Sequence, residues 1–273
     1  RTSPRAGLVI FLARNLNVKL LTAQAFRAPS VTELFGANTF SLASNPRKLK
    51  PEIVRTSEAG IDWLLHPRVN LRAGVFRTKF ENQIAYSLQN NNLSTNIYTL
   101  TTVGGEFEAL FNWKHGSAFA SVSANRRVSE VILDTTISKS DATTWAPSRT
   151  GSVGISHTFF NRLVASIAAQ RQGLVRRRAS DLGLVDPLTG FGPLTPEGLP
   201  SSYANSYPVY RPENVSGWTD VNARMAWKFG ANGQAGLSVT NLLNSHQTLV
   251  KNNSYPFDYL REGRRFLADV ALS

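Results

Sequence analysis

Val221-Asn222-Ala223-Arg224-Met225-Ala226-Trp227-Lys228-Phe229 alternates side chains of two kinds. Val221, Ala223, Met225, Trp227 and Phe229 fall on one face of an extended strand. Asn222, Arg224, Ala226 and Lys228 fall on the other. Trp63 and Trp113 occupy the same kind of place as Trp227: each ends an alternating segment and is followed within a few residues by a very short turn. A soluble sheet shows such a pattern once or twice. Here it recurs along the whole chain with the aromatic at the same end. That is the pattern of a membrane-spanning β-barrel, with lipid outside, water inside and aromatic rings at the interface.

Composition bounds the reading. The chain has 273 residues, enough for one large domain, and all of 1–273 is read as one barrel segment. There is no Cys, which excludes disulfides, thiol nucleophiles and thiolate metal sites. The first residue is Arg, which suggests a fragment or a processed chain, and no secretory signal opens the sequence. No apolar run reaches the roughly 18 residues of a transmembrane helix. A mean hydropathy of −0.18 fits a barrel, because half of every strand faces water. The net charge of +12 raises the question of nucleic acid, but the basic residues are dispersed, so no nucleic-acid partner is expected.

The alternation predicts about eleven strands, near 6–13, 16–26, 52–65, 69–86, 96–113, 117–127, 148–158, 162–172, 217–229, 233–242 and 264–272. Short turns fall at Arg14-Asn15, His66-Pro67-Arg68, Lys114-His115-Gly116, Phe160-Asn161 and Gly230-Ala231-Asn232. Long connections fall near 27–51, 87–95, 128–147, 173–216 and 243–263. Short and long alternate, so an antiparallel sheet places all short turns at one end and all long loops at the other. Outer-membrane barrels have this asymmetry.

The charges choose the wet face. Apolar sets include Phe107, Ala109, Phe111 and Trp113; Ala118, Ala120, Val122 and Ala124; and Leu163, Ala165, Ile167 and Ala169. The interleaved sets hold Glu58, Asp62, Arg72, Glu106, Glu108, Gln170, Arg224, Lys228 and Asp269. Asp62 falls opposite Arg72 in the hairpin around Pro67, a favourable cross-strand pair. An Arg or Lys facing lipid at mid-membrane would cost about 2–4 kcal/mol.

Five runs resemble the TonB-dependent outer-membrane receptors, in the family's order. They are Phe26-Arg27-Ala28-Pro29-Ser30 with Glu33-Leu34, Asn45-Pro46 with Leu49-Lys50-Pro51-Glu52, and Gly105-Glu106-Phe107. The other two are Asn241-Leu242-Leu243-Asn244 and Gly263-Arg264. The resemblance implies an all-β antiparallel transmembrane barrel of 22 strands, of which this chain supplies the C-terminal half. The plug domain, which carries the segment that binds TonB, is absent from it. It also implies a bacterial outer-membrane receptor that takes up a scarce nutrient, most often a ferric siderophore, energised through the TonB complex. Outer-membrane lipid is then a further partner. Two other readings are a barrel without a plug, such as a porin or barrel enzyme, and a soluble secreted β-protein.

Enzymatic chemistry finds little support. His66, His115, His157 and His246 lack metal-ligand spacing, so no metal or cofactor is expected. Ser121 and Ser123 have no accompanying His or nucleophile elbow. Glu106 and Glu108 are read as lining charge rather than an acid–base pair. The resemblance places ligand contacts in outer loops and the upper lumen. Basic and aromatic residues cluster there: Arg176, Arg177, Arg178, Tyr203, Tyr207, Tyr210, Arg211, Tyr255 and Tyr259, with Phe191 and Phe257 nearby. Guanidinium and stacking rings suit an anionic, planar or sugar-like cargo. A solvated loop and an interfacial aromatic belt account for the same residues.

Phe266, Ala268, Val270 and Leu272 form the last apolar series, and Ser273 follows on the polar face. Barrels of the resembled family usually end on an aromatic residue, so the sequence is expected to continue with Phe, or else Trp or Tyr, directly after Ser273.

Overall fold

The computed structural model describes residues 2–35, 48–87, 93–133, 146–177, 213–230, 233–250 and 258–272. The elements are β1 (Arg5–Ala13), β2 (Leu16–Arg27), α1 (Val31–Phe35), β3 (Glu52–His66), β4 (Val69–Ser87), β5 (Leu93–Trp113), β6 (Gly116–Ile132), β7 (Arg149–Phe159) and β8 (Leu163–Gln172). Then come β9 (Val175–Arg176), β10 (Asn214–Val215), β11 (Trp218–Phe229), β12 (Gly233–Thr240), β13 (Thr248–Leu249), β14 (Tyr259–Leu260) and β15 (Arg265–Leu272). One 11-stranded antiparallel sheet takes the order β1-β2-β3-β4-β5-β6-β7-β8-β11-β12-β15. The eleven strands are those that the alternation predicts. The short helix and the small pairs β9/β10 and β13/β14 lie where only connections are expected. No helix among the described residues is long and apolar enough to cross a membrane.

Contacts group the chain into two units, one of Arg1–Asp62, Ala73–Gly105 and Asn125–Thr143, the other of Trp63–Arg72, Glu106–Ala124 and Thr144–Ser273. In the second unit the register fixes both faces of the sheet. Ile155 pairs with Ile167, Ile167 with Ala223, Ala223 with Val239 and Val239 with Phe266. Four residues along each strand, and so on the same face, Phe159 pairs with Leu163, Leu163 with Trp227, Trp227 with Ala235 and Ala235 with Val270. Between these rows lie the polar ones: Ser117 with Ser156, Ser156 with Ser166, Ser166 with Arg224 and Arg224 with Ser238. The apolar rows stay exposed: Val153 at 54%, Met225 at 53%, Leu237 at 53% and Trp227 at 45%. A soluble sandwich would cover this face with a second sheet. A continuous uncovered apolar face belongs against lipid.

The polar face carries its own contacts. Arg224 forms a bidentate pair with Asp269, Nη1 to Oδ1 at 2.6 Å and Nη2 to Oδ2 at 2.8 Å, and Nη1 also donates to Ser238 Oγ at 2.7 Å. Gly236 is opposite Asp269 in the register, and a Cβ there would run into Arg224 Nη2 and come within 2.8 Å of Asp269 Oδ1, so a side chain would push the fork aside. Ser121 and Ser152 share a hydroxyl hydrogen bond of 2.7 Å.

At the short-turn end of the second unit, Trp113 Nε1 donates to His157 Nδ1 at 2.9 Å. His157 Nδ1 therefore accepts. Phe111 and Phe159 pack around this pair at ring-centroid distances of 5.3 Å from Trp113 and 4.5 Å from His157. The turn between β7 and β8 is tight: Arg162 N–H donates to Phe159 O at 3.0 Å, and Phe160 and Asn161 both take positive φ, 52° and 56°. These values give the twist that a two-residue hairpin needs, at a steric cost for Phe.

In the first unit, Ile97 and Tyr98 form a small core with Ala85, Leu100 and Ile132 against them. Asp62 is ion-paired with Lys19 of β2. In the second unit, Arg72 lies 3.5 Å from Glu108. At Asn82 the backbone is left-handed, φ 58°, and side chains supply the local hydrogen bonds. Asn96 Nδ2 donates to Asn82 O at 2.7 Å and to Lys50 O at 2.8 Å, while Ile84 N–H donates to Glu52 Oε1 at 2.8 Å.

Candidate functional site

The described parts of the connections at the long-loop ends of the strands are held largely by side-chain hydrogen bonds. In the first unit, Ser30 precedes α1 and forms a reciprocal cap with Glu33. Glu33 N–H donates to Ser30 Oγ at 3.3 Å, and Ser30 N–H donates to Glu33 Oε2 at 2.6 Å. Arg27 closes the same turn with a fork onto Glu33, both bonds 2.9 Å. Its Nε donates to Glu52 at the start of β3. The Arg27 hydrogen bonds hold the Glu33 carboxyl below the usual carboxylate range; partial burial works the other way, and the Ser30 N–H adds to the lowering.

In the second unit two connections carry the structure. The first runs from β8 to β11 and contains the β9/β10 pair, with Val215 opposite Val175 and Asn214 opposite Arg176. The second runs from β12 to β15 and contains the β13/β14 pair. Asn241, at φ 48°, starts the second connection. Its Nδ2 donates to Ser245 O at 3.0 Å and Glu262 O at 3.3 Å, and its Oδ1 accepts from Ser245 N–H at 2.9 Å. Asn244 Oδ1 accepts from Arg264 N–H at 3.0 Å. Ser245 Oγ donates to Thr219 O of β11 at 2.8 Å. Arg261 lies 5.0 Å over the Trp218 ring and 4.0 Å from Asp220.

The basic and aromatic residues singled out from the sequence divide. Arg176 is partly exposed, 3.6 Å from Glu213. Arg177 is buried, its side chain 2% exposed, with Nη1 donating to Asp258 Oδ1 at 2.7 Å and Nη2 donating to Asp258 Oδ2. Tyr259 is exposed beside Asp258. Arg178, Phe191, Tyr203, Tyr207, Tyr210, Arg211, Tyr255 and Phe257 lie outside the described residues. Sequence reasoning overlooked Asp258 and Gln247, half-buried and buried polar residues in connections; Asn241 it named, but only as part of the Asn241-Leu242-Leu243-Asn244 run. Among the described residues no group of three or more His, Asp or Glu side chains is placed to hold a metal ion.

A sheet that is polar on one face and apolar and exposed on the other, with structured connections at one end, is a segment of barrel wall. The chain belongs to the TonB dependent receptor-like β-barrel family, whose model matches residues 1–242. Solved structures agree in fold. The ferric-catecholate import receptor Fiu from E. coli K12, closed form, is 18% identical with a TM-score of 0.69, over 98% of this chain and 34% of that one. The siderophore receptor PiuA from Acinetobacter baumannii is 16% identical with a TM-score of 0.69, over 98% of this chain and 35% of that one. The copper transporter OprC is 16% identical with a TM-score of 0.70, over 99% of this chain and 38% of that one. The chain thus spans about a third of the length of these proteins. No curated protein sequence matches it.

Proposed function

We propose that the chain is the C-terminal part of the barrel of a bacterial outer-membrane receptor that imports a ferric siderophore, driven through TonB in the intact protein. The supporting observation is the ordered scaffold at the long-loop end of the second unit, which carries Arg176 and Tyr259 at its surface. Basic and aromatic side chains on rigid anchors suit an anionic aromatic chelate. Fiu, a ferric-catecholate import receptor, and PiuA, a siderophore receptor, agree with this cargo class. Arg176, Arg178, Tyr203, Tyr207, Tyr210, Arg211, Tyr255 and Tyr259 are its candidate contacts. OprC motivates a second reading, in which the cargo is copper.

The test is uptake of radiolabelled ferric siderophores by iron-starved cells with and without the intact protein. Uptake that requires the protein and TonB supports the proposal. Copper uptake alone selects the second reading, and TonB-independent leakage of small solutes would mean a porin-like barrel. Replacing Arg176 and Arg178 by Ser is expected to weaken uptake most at low ionic strength.

A further inference from the structure

Three consecutive hairpins of the second unit each carry one exposed cation in the short turn. They are Arg68 between β3 and β4, Lys114 between β5 and β6, and Arg162 between β7 and β8. We propose that they form a row that binds the phosphates of anionic phospholipids, so that this wall gathers such lipids at its short-turn rim.

Backbone bonds fix the row. Arg68 O accepts from Asn112 N–H at 2.7 Å, His115 O from Thr158 N–H at 2.7 Å, and Arg162 O from Lys228 N–H at 2.9 Å. Each turn is thereby tied to the first strand of the next hairpin. Neighbouring hairpins are two strand spacings apart, roughly 10 Å.

No carboxylate from the turns offsets these charges. No Asp or Glu lies within four residues of any of the three in the chain. The polar face of the same unit is different, since there Arg72 has Glu108 and Arg224 has Asp269. A row of like charges at this spacing repels itself unless anions lie among its members.

The neighbouring rings set the depth. Trp113 directly precedes Lys114, Phe159 stands three residues before Arg162, and Trp63 five residues before Arg68. All three rings sit near the short-turn ends of their strands, and Trp63 and Phe159 are exposed. Aromatic residues at the end of a lipid-facing row lie at headgroup level. Cations just beyond them stand where the phosphates are, and the long stems of Lys and Arg let the charge reach them. The aromatic collar is what points to a phosphate carried on a lipid rather than to one in solution. The inference rests on the lipid-facing assignment of the apolar rows and not on the cargo.

The test uses the intact protein in phosphatidylcholine vesicles that contain a minor share of phosphatidylglycerol. Photoactivatable analogues of the two lipids are crosslinked in parallel, and mass spectrometry reads the yield at each turn. The phosphatidylglycerol yield should exceed the phosphatidylcholine yield about fivefold at the three turns, and the excess should shrink as salt is raised. Arg68→Gln, Lys114→Gln and Arg162→Gln should each remove most of the excess at the turn that carries the substitution. Lys228→Gln removes the same charge at the same end but from the polar face, and should leave all three excesses unchanged. Equal yields of the two lipids in the unmodified protein would overturn the proposal, and this measurement needs no variant. So would an equal loss in Lys228→Gln, which would mean a response to overall charge alone. Displacement of phosphatidylglycerol by inorganic phosphate, but not by chloride at the same ionic strength, would replace the lipid with a soluble anion and overturn it too. Failure to enter the bilayer would overturn the assignment of faces and this inference with it, whereas entry with equal yields overturns this inference alone.

Discussion

Arg27 and Glu52 stand at the two ends of one long connection, and their side chains form an ion pair. Each belongs to a separate run of the family pattern. The same holds for Asn241, which bonds Glu262 O, and for Asn244, which bonds Arg264 N–H. Four of the five runs thus meet in pairs as the two halves of stitches at the base of a connection.

Removing one half should open the stitch. Arg27→Ala leaves Glu52 largely buried, with its Oε1 still accepting from Ile84 N–H but no cation on Oε2. A loss of about 1–3 kcal/mol is expected, the usual cost of a buried charged group left underbonded. A double-mutant cycle with Glu52→Gln, read by denaturant unfolding, should show strong coupling; additive effects would mean that the two side chains act independently.

The Glu33 carboxyl gives this region an acid limit. Its folded pKa lies below the ordinary value, so its contribution is fully present above the ordinary carboxylate range near about 4.3 and fades as pH falls through the depressed value. Cleavage of the connection after β2 by an acid-active protease should rise below about pH 4 and become less pH-dependent in Glu33→Gln.

Adjacent positions on β7 should respond in opposite ways to the same residue. Val153→Arg places a charge on the exposed apolar face and should cost about 2–4 kcal/mol if that position lies near the middle of the bilayer. Ser152→Arg places it on the polar face, beside Ser121 and Gln170, and should be nearly neutral. Refolding into lipid vesicles in graded urea measures both. Equal costs would contradict the assignment of faces.

Phe160 bears a positive φ while 87% exposed. Phe160→Asn keeps the turn with a side chain that tolerates this conformation and should stabilise the hairpin by up to about 1 kcal/mol. A loss instead would show that the ring is held at the turn by contact with the interface.

Sequence reasoning recovered the sheet because its signal is local. Every second residue of β7, β8, β11, β12 and β15 reports its face, and the registers agree with those assignments. The sites in the connections were less legible because their partners are remote. Nothing near Arg177 in the chain announces Asp258, and from sequence the three consecutive arginines look equivalent. Asp62 shows the same limit. Its place on the strand was readable, but its ion pair with Lys19 of β2, 43 residues away, was not. The pairs β9/β10 and β13/β14 were missed because two residues carry no period.

Alternation also bears on the route such a chain takes before it folds. Within Trp218–Phe229 the polar face contributes Asp220, Arg224 and Lys228. Were this segment to try the inner membrane as a helix, each charge near its centre would be penalised by about 2.5–3.5 kcal/mol. This segment could not lodge there. The segment becomes compatible with lipid only when neighbouring strands take up its backbone hydrogen bonds and its charges turn together to one side. The pattern that makes it a wall in one membrane lets it pass through another unrecognised.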